Sequence, residues 1–222
     1  MRKVTLAALV LVLVAPTMGV SVAHATERQG AQDYWIYANE GPQDSSHRWY
    51  GMAASNYVMS NPIIDYMHVN SIYAWYDSND YIETGWAWRE WGSTDPQKFV
   101  AYERQGYTSG QVQYFFGQLT PGSNVYFELN NRTMDGGSWE SWRANCAGTY
   151  FDRDLNFYKA WAQCSSERDD LITTNYGHWW NLWKKDYTGV WYSWSDGRKF
   201  DSDPEYHGRF ASGYYHFYSE AD

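Results

Sequence analysis

Cysteine is scarce in this chain: two occur in 222 residues, Cys146 and Cys164, and neither belongs to a CxxC pair. That excludes a zinc ribbon and a thioredoxin-type redox motif. Histidines number six. His47, His68, His178, His207 and His216 have neither HExxH nor zinc-finger spacing, so no metal and no cofactor is expected. No serine sits in a GxSxG elbow, which removes the serine hydrolases of that type. Basic residues are short as well, 17 Lys and Arg against 26 Asp and Glu, for a formal net charge of -9. Nucleic acid and anionic lipid are therefore poor partners.

Long apolar runs are also missing. The stretch from Leu6 to Val14 is shorter than the roughly 20 residues a bilayer requires, so no membrane insertion is expected. It follows Arg2 and Lys3 and precedes Ala23-His24-Ala25, the small-x-small form of a signal-peptidase site, and residues 1–25 read as a signal peptide. The expectation is a secreted, extracellular protein with a flexible segment over 26–33 and one domain over 34–222. Without the leader, 15 basic residues face 26 acidic ones, a net charge of -11. In an exported chain an even cysteine count predicts a Cys146–Cys164 disulfide. Closing its loop of about 19 residues would contribute about 3 kcal/mol. Asp201-Ser202-Asp203-Pro204-Glu205 holds three carboxylates in five residues, but it lacks the glycine and length of an EF-hand loop and reads as a solvated acidic turn.

What the chain has in abundance is aromatic residues, 20% against 19% charged. They fall in short segments of period two bounded by Gly, Asn, Asp, Ser or Pro. Examples are Ile63 to Val69, Ser71 to Tyr76, Tyr81 to Trp88, Lys98 to Arg104, Phe157 to Cys164 and Arg209 to Tyr218. Turn chemistry at Thr120-Pro121-Gly122-Ser123, Asp135-Gly136-Gly137 and Asp196-Gly197 supports the breaks. A single turn of helix is predicted over Ser165 to Leu171, with Ser166 as cap. The pattern predicts an all-β fold: a two-sheet antiparallel jelly-roll, concanavalin-like sandwich with little or no helix.

Within Ser71 to Trp88, Glu83 is the residue out of character. Alternation puts it on one face with Tyr81, Gly85 and Ala87, and puts Ile82, Thr84, Trp86 and Trp88 on the other. Small neighbours predict an open floor beside Glu83, as in a groove for an extended peptide or glycan; the bland alternative is a solvent-facing strand residue. Glu103 is a supporting candidate, with an ion pair to Arg104 as its alternative role. Glu128 and Glu140 have strand spacing that could aim them into a groove.

The order Ala74-Trp75-Tyr76, Ile82-Glu83-Thr84-Gly85-Trp86, Tyr102-Glu103 and Pro121-Gly122 resembles the β-sandwich glutamic peptidases, the eqolisins and, more distantly, the neprosin domain. The resemblance implies that a Gln and a Glu, or two Glu, act on a water and the scissile carbonyl at acidic pH. Glu83 falls at the first position, where eqolisins have Gln and neprosin-like domains Glu. The second glutamate of eqolisins follows an alanine in an Ala-Glu-Trp type of motif. Here the corresponding text is Ala162-Gln163-Cys164-Ser165-Ser166-Glu167, so Gln163 stands directly after the alanine and Glu167 is the first acid. The catalytic pair read from this resemblance is Glu83 with Glu167, with Gln163 in support.

The tryptophans support a second function class, a non-catalytic lectin-like sandwich that stacks sugar rings on exposed aromatic planes. Its candidate binding residues are Trp86, Trp88, Trp139, Trp142 and Trp180. Trp179 and Trp180, adjacent in one strand, must point to opposite faces. The expected partner is a peptide or a glycan, and the expected state is a monomer.

Overall fold

The computed structural model describes residues 34–60, 67–89, 95–108, 110–168 and 176–221. The expected signal peptide over 1–25 and the expected flexible segment over 26–33 lie outside these residues. Two antiparallel sheets form a jelly-roll sandwich. In spatial order, the seven-stranded sheet runs β13 (Arg198–Asp201), β1 (Tyr34–Asn39), β10 (Trp161–Arg168), β3 (Met67–Asp77), β4 (Asp80–Arg89), β5 (Gln97–Glu103) and β6 (Val112–Gln118). The eight-stranded sheet runs β14 (Tyr206–Ala211), β15 (His216–Ala221), β11 (Tyr176–Lys185), β2 (Gly51–Tyr57), β7 (Asn124–Asn131), β8 (Ser141–Cys146) and β9 (Thr149–Asp154), with the short β12 (Trp191–Ser193) pairing β11. The only helical pieces among the described residues are two 3-10 turns, Ser45–His47 and Thr133–Asp135.

Period two accounts for the core. Ile36, Ile72, Ile82, Trp86 and Val100 project from the first sheet against Met52, Phe127, Leu129, Trp142, Trp179 and Phe217 from the second, and all are essentially inaccessible. Each large indole brings a polar edge that requires a partner when buried. Trp86 Nε1 donates to Asn56 Oδ1 across the sandwich, and Trp142 Nε1 donates to the Phe157 carbonyl at 2.8 Å. Behind β1, the buried ion pair of Glu40 with Lys184 ties the two sheets together, and the Lys184 ammonium lies 4.1 Å from the Trp49 ring centre.

Several expectations require correction. Ser165–Arg168 is strand, not helix, because β1 and β3 pair with β10 on both sides and Ser166 points inward to accept from Tyr206 Oη at 2.6 Å; residues 169–171 lie outside the described set. Arg209 to Tyr218 is a hairpin rather than one strand. Ser212 (φ 55°) and Gly213 (φ 70°) turn the chain back between β14 and β15. Asp196-Gly197 closes no hairpin: β12 before it belongs to the eight-stranded sheet and β13 after it to the other, so this segment crosses between layers. The Ser71 to Tyr76 strand is longer than expected, since β3 starts at Met67; of the separate Ile63 to Val69 strand, residues 63–66 lie outside the described set.

The disulfide is absent, and both cysteines are free and buried. Cys146 Sγ lies under β4 and β5, 3.2 Å from the Phe99 carbonyl and 3.9 Å from that of Gly85, whereas Cys164 is on β10 with its Sγ 3.9 Å from the Ala38 carbonyl. Strands β10 and β4 are separated by β3, about 10 Å at two strand spacings. No disulfide spans that gap.

Candidate functional site

The site lies on the outer face of the seven-stranded sheet and is laid out by strand register. Gln163 on β10 pairs with Tyr73 on β3, Tyr73 with Glu83 on β4, Glu83 with Ala101 on β5 and Ala101 with Gln113 on β6. Residues paired directly across antiparallel strands share a face. One row therefore carries an amide, a phenol and a carboxylate side by side. The adjoining row on that face is Ser165, Ser71, Gly85 and Phe99, and the next holds Glu167, Val69 and Ala87. On the other side of the Glu83 row, Trp161 pairs with Trp75, Trp75 with Tyr81 and Tyr81 with Glu103.

Glu83 does not stand over an open floor. It is 2% exposed. The small residue beside it closes the sheet instead of opening it: a Cβ at Gly85 would fall 2.6 Å from Ser71 Cα and Cβ, so glycine lets β3 press against β4. Tyr73 and Tyr81 flank Glu83, their ring centres 5.9 Å apart. Burial first, then the charges of Glu83 and Glu167, hold the Tyr73 phenol well above its ordinary range, and a hydrogen bond to Glu83 raises it further. Tyr81 is raised in the same way by burial and by Glu83 and Glu103, against a lowering hydrogen bond from Gln111. Both phenols keep their protons and serve as donors.

A cleft of about 280 Å³ opens next to this row. Its walls are Tyr37, Tyr73 and Trp75, with the amides of Gln43 and Gln163, the Ser165 hydroxyl and the Glu167 carboxylate. Aromatic stacking fixes two walls: Tyr37 lies 4.8 Å from Phe200 and Trp75 5.1 Å from Trp161, measured between ring centres. Gln43 is held by the 3-10 turn after it. The Asp44 carboxylate caps that turn, accepting from the backbone of Ser46 (2.9 Å) and His47 (3.2 Å), and Trp161 Nε1 donates to the Asp44 carbonyl at 3.0 Å. Hydrogen bonds from Ser46 and His47 hold the Asp44 carboxyl well below the usual range.

Glu83, Gln163, Glu167 and Glu103 thus share one face, but not one row. Glu167 is four residues from Gln163, about 13 Å along the strand. Glu103 stands opposite Tyr81, and its neighbour Arg104 bonds Asn156 Oδ1 at 3.0 Å and covers the Tyr107 ring at 3.7 Å. Glu128 belongs to the other sheet, accepting from Tyr126 Oη at 2.9 Å, and Glu140 is exposed in the turn before β8.

The proposed sugar platform is corrected by burial: Trp86 and Trp142 are 0% exposed and fill the core. Trp88 packs against that core. Trp139 is exposed, edge-on to Tyr158, while Trp180 lies beside His178. Among the described residues no group of three or more His, Cys, Asp or Glu is placed to hold a metal ion. In the acidic turn, Lys199 pairs with Asp201 at 3.1 Å and Asp203 accepts from the Glu205 backbone at 2.8 Å. Sequence reasoning missed Tyr73, Tyr37, Gln43 and the wall Trp75. The available signal was the period of two, which puts Tyr73 and Trp75 on one face of β3.

No protein-family model and no curated protein matches the sequence. Solved structures do resemble the fold. Scytalido-glutamic peptidase bound to a peptide-based transition state analog superposes with a TM-score of 0.59 at 12% identity, over 86% of this chain and 99% of that one. SCP-B, a member of the eqolisin family of peptidases in complex with the tripeptide Ala-Ile-His, gives 0.58 at 11% identity, over 86% and 99%. Scytalido-glutamic peptidase with a transition state analog inhibitor gives 0.55 at 10%, over 86% and 98%. At such identities the likeness is one of fold.

Proposed function

We propose that this chain, which has the fold of the glutamic peptidases, is a secreted peptidase that hydrolyses peptide bonds at acidic pH on the outer face of its seven-stranded sheet. The observation that carries the reading is the row of Gln163, Tyr73 and Glu83 beside the cleft. Glu83 is the acid and base. It is the group that ends up holding the attacking water's proton and that supplies the proton of the departing nitrogen. The Gln163 amide donates to the carbonyl oxygen as that oxygen becomes an oxyanion. Relative to eqolisins, the carboxyl and the amide have exchanged positions in the sequence. Glu167, about 13 Å along the strand from Gln163, meets the substrate away from the scissile bond.

The test is digestion of a denatured protein between pH 2 and pH 5 by the wild type, Glu83→Gln and Glu167→Gln. The expected result is that Glu83→Gln loses about 10²–10⁴-fold in kcat, whereas Glu167→Gln changes chiefly KM. Cleavage undiminished in Glu83→Gln would reject the assignment. The competing glycan-binding reading is tested by a glycan array, where selective binding together with absence of cleavage would replace the peptidase.

A further inference from the structure

The group assigned as acid and base does not line the cleft. Glu83 is buried, and the cleft wall next to it is Tyr73. Tyr73 sits between Glu83 and Gln163 in the same cross-strand row, hydrogen-bonded to the carboxylate. A water bound in the cleft beside Gln163 therefore meets a phenol before it meets the carboxylate. This follows only if the chain is a peptidase, and it concerns how such a site operates.

We infer that Tyr73 is a catalytic residue of this site, a phenol relay that carries protons between buried Glu83 and the scissile bond in the cleft. In the first step the water oxygen bonds to the carbonyl carbon. Water gives one proton to Tyr73 Oη as Tyr73 passes its own to a Glu83 carboxylate oxygen, and the carbonyl π pair moves onto the oxygen facing Gln163. In the second step Glu83 returns a proton to Tyr73 Oη as Tyr73 protonates the departing nitrogen; the C–N bond breaks and the oxyanion pair re-forms the C=O. The products are a carboxylic acid and an amine, with Glu83 again a carboxylate. Tyr73 is neutral before and after each step, which suits a phenol held protonated by burial and by two nearby carboxylates. Because the relay exchanges one O–H for another, the Tyr73 ring need not move aside to admit water to Glu83.

The experiment compares the wild type with Tyr73→Phe, which keeps the ring and removes the hydroxyl. The relay requires a loss of about 10²-fold or more in kcat with KM little changed. It also requires that the proton inventory in H2O/D2O mixtures, which in the wild type reports more than one proton in flight, lose that curvature. A wild type that cleaves nothing removes the peptidase reading and the relay with it. An active wild type with Tyr73→Phe retaining kcat within about threefold removes the relay alone. If near-UV circular dichroism shows Tyr73→Phe to be misfolded, Tyr73→Ala is assayed with added phenol or toluene. Rescue by phenol only supports the relay; rescue by both equally, or by neither, reduces Tyr73 to packing and overturns it.

Discussion

Glu83 and Gln163 face the same side of the seven-stranded sheet in one cross-strand row, separated by a single strand that contributes Tyr73. The sequence resemblance to eqolisins implies a Gln at the position of Glu83 and a Glu after the alanine where Gln163 stands. On the proposed peptidase reading, the pair is therefore the same two side-chain types in exchanged places. Glu83→Gln alone leaves two amides and no carboxyl in the row, and Gln163→Glu alone leaves two carboxyls. The double exchange Glu83→Gln with Gln163→Glu restores one of each. The expected kcat order is therefore wild type and double variant above Glu83→Gln by about 10²–10⁴-fold, read from initial rates on one peptide substrate. A double variant no better than Glu83→Gln counts against a functional pair.

Trp142 and Trp139 separate core from surface. Trp142 is fully buried with its indole N–H bonded to the Phe157 carbonyl, while Trp139 is 63% exposed. Trp142→Ala is expected to cost about 3–5 kcal/mol through cavity formation. Trp139→Ala is expected to cost less than about 1 kcal/mol. Urea denaturation of the two variants measures both. Similar midpoints would mean that Trp142 does not fill the core as described.

Much of this layout was legible in the period of two. Ile82, Thr84 and Trp86 point inward while Glu83 and Gly85 point outward, as alternation requires of any strand. What alternation cannot supply is the neighbour of each strand. That Gln163, and not Glu167, stands in the row of Glu83 depends on β10 pairing with β3 in one register, between residues about 90 apart in sequence whose side chains signal no offset. The Ser165 to Arg168 stretch misled for a related reason. Its polar residues suit a helix cap locally, but pairing on both sides overrides that preference. The disulfide expectation failed because an even count says nothing of which strands separate the two thiols.

Both thiols are expected to be unreactive in the folded protein. Burial pushes Cys146 up to about 11 and Cys164 well above its ordinary value, so neither presents a thiolate near neutral pH. Alkylation with iodoacetamide under native conditions should add no label, and in guanidinium it should add two without prior reduction. Midpoints of thermal unfolding should be the same with and without dithiothreitol. A protein that needs reduction before both cysteines are labelled in guanidinium would contain the bond that the strand order excludes.

Stability at acidic pH is expected to carry a signature of His178 on the opposite face of the molecule. Its ring stacks on Tyr218 at 4.2 Å between centres, and its Nε2 lies 3.0 Å from His216 Nδ1 on β15. Arg209 on β14 covers Tyr218 and pairs with Glu220. Burial, then the charges of His216 and Arg209, push His178 down to about 4 from 6.5. Above pH 6.5 the imidazole is neutral in both states and adds no slope. Between 6.5 and 4 the unfolded chain binds a proton that the folded chain refuses, so stability falls as pH falls through that window and levels off below it. His178→Gln removes this contribution. Its loss of Tm between pH 7 and pH 4.5 should be smaller than that of the wild type. The Asp152 carboxyl, held low by Arg143, adds its own decline only at lower pH and leaves the comparison intact. Equal losses in variant and wild type would show that His178 titrates normally in the folded protein.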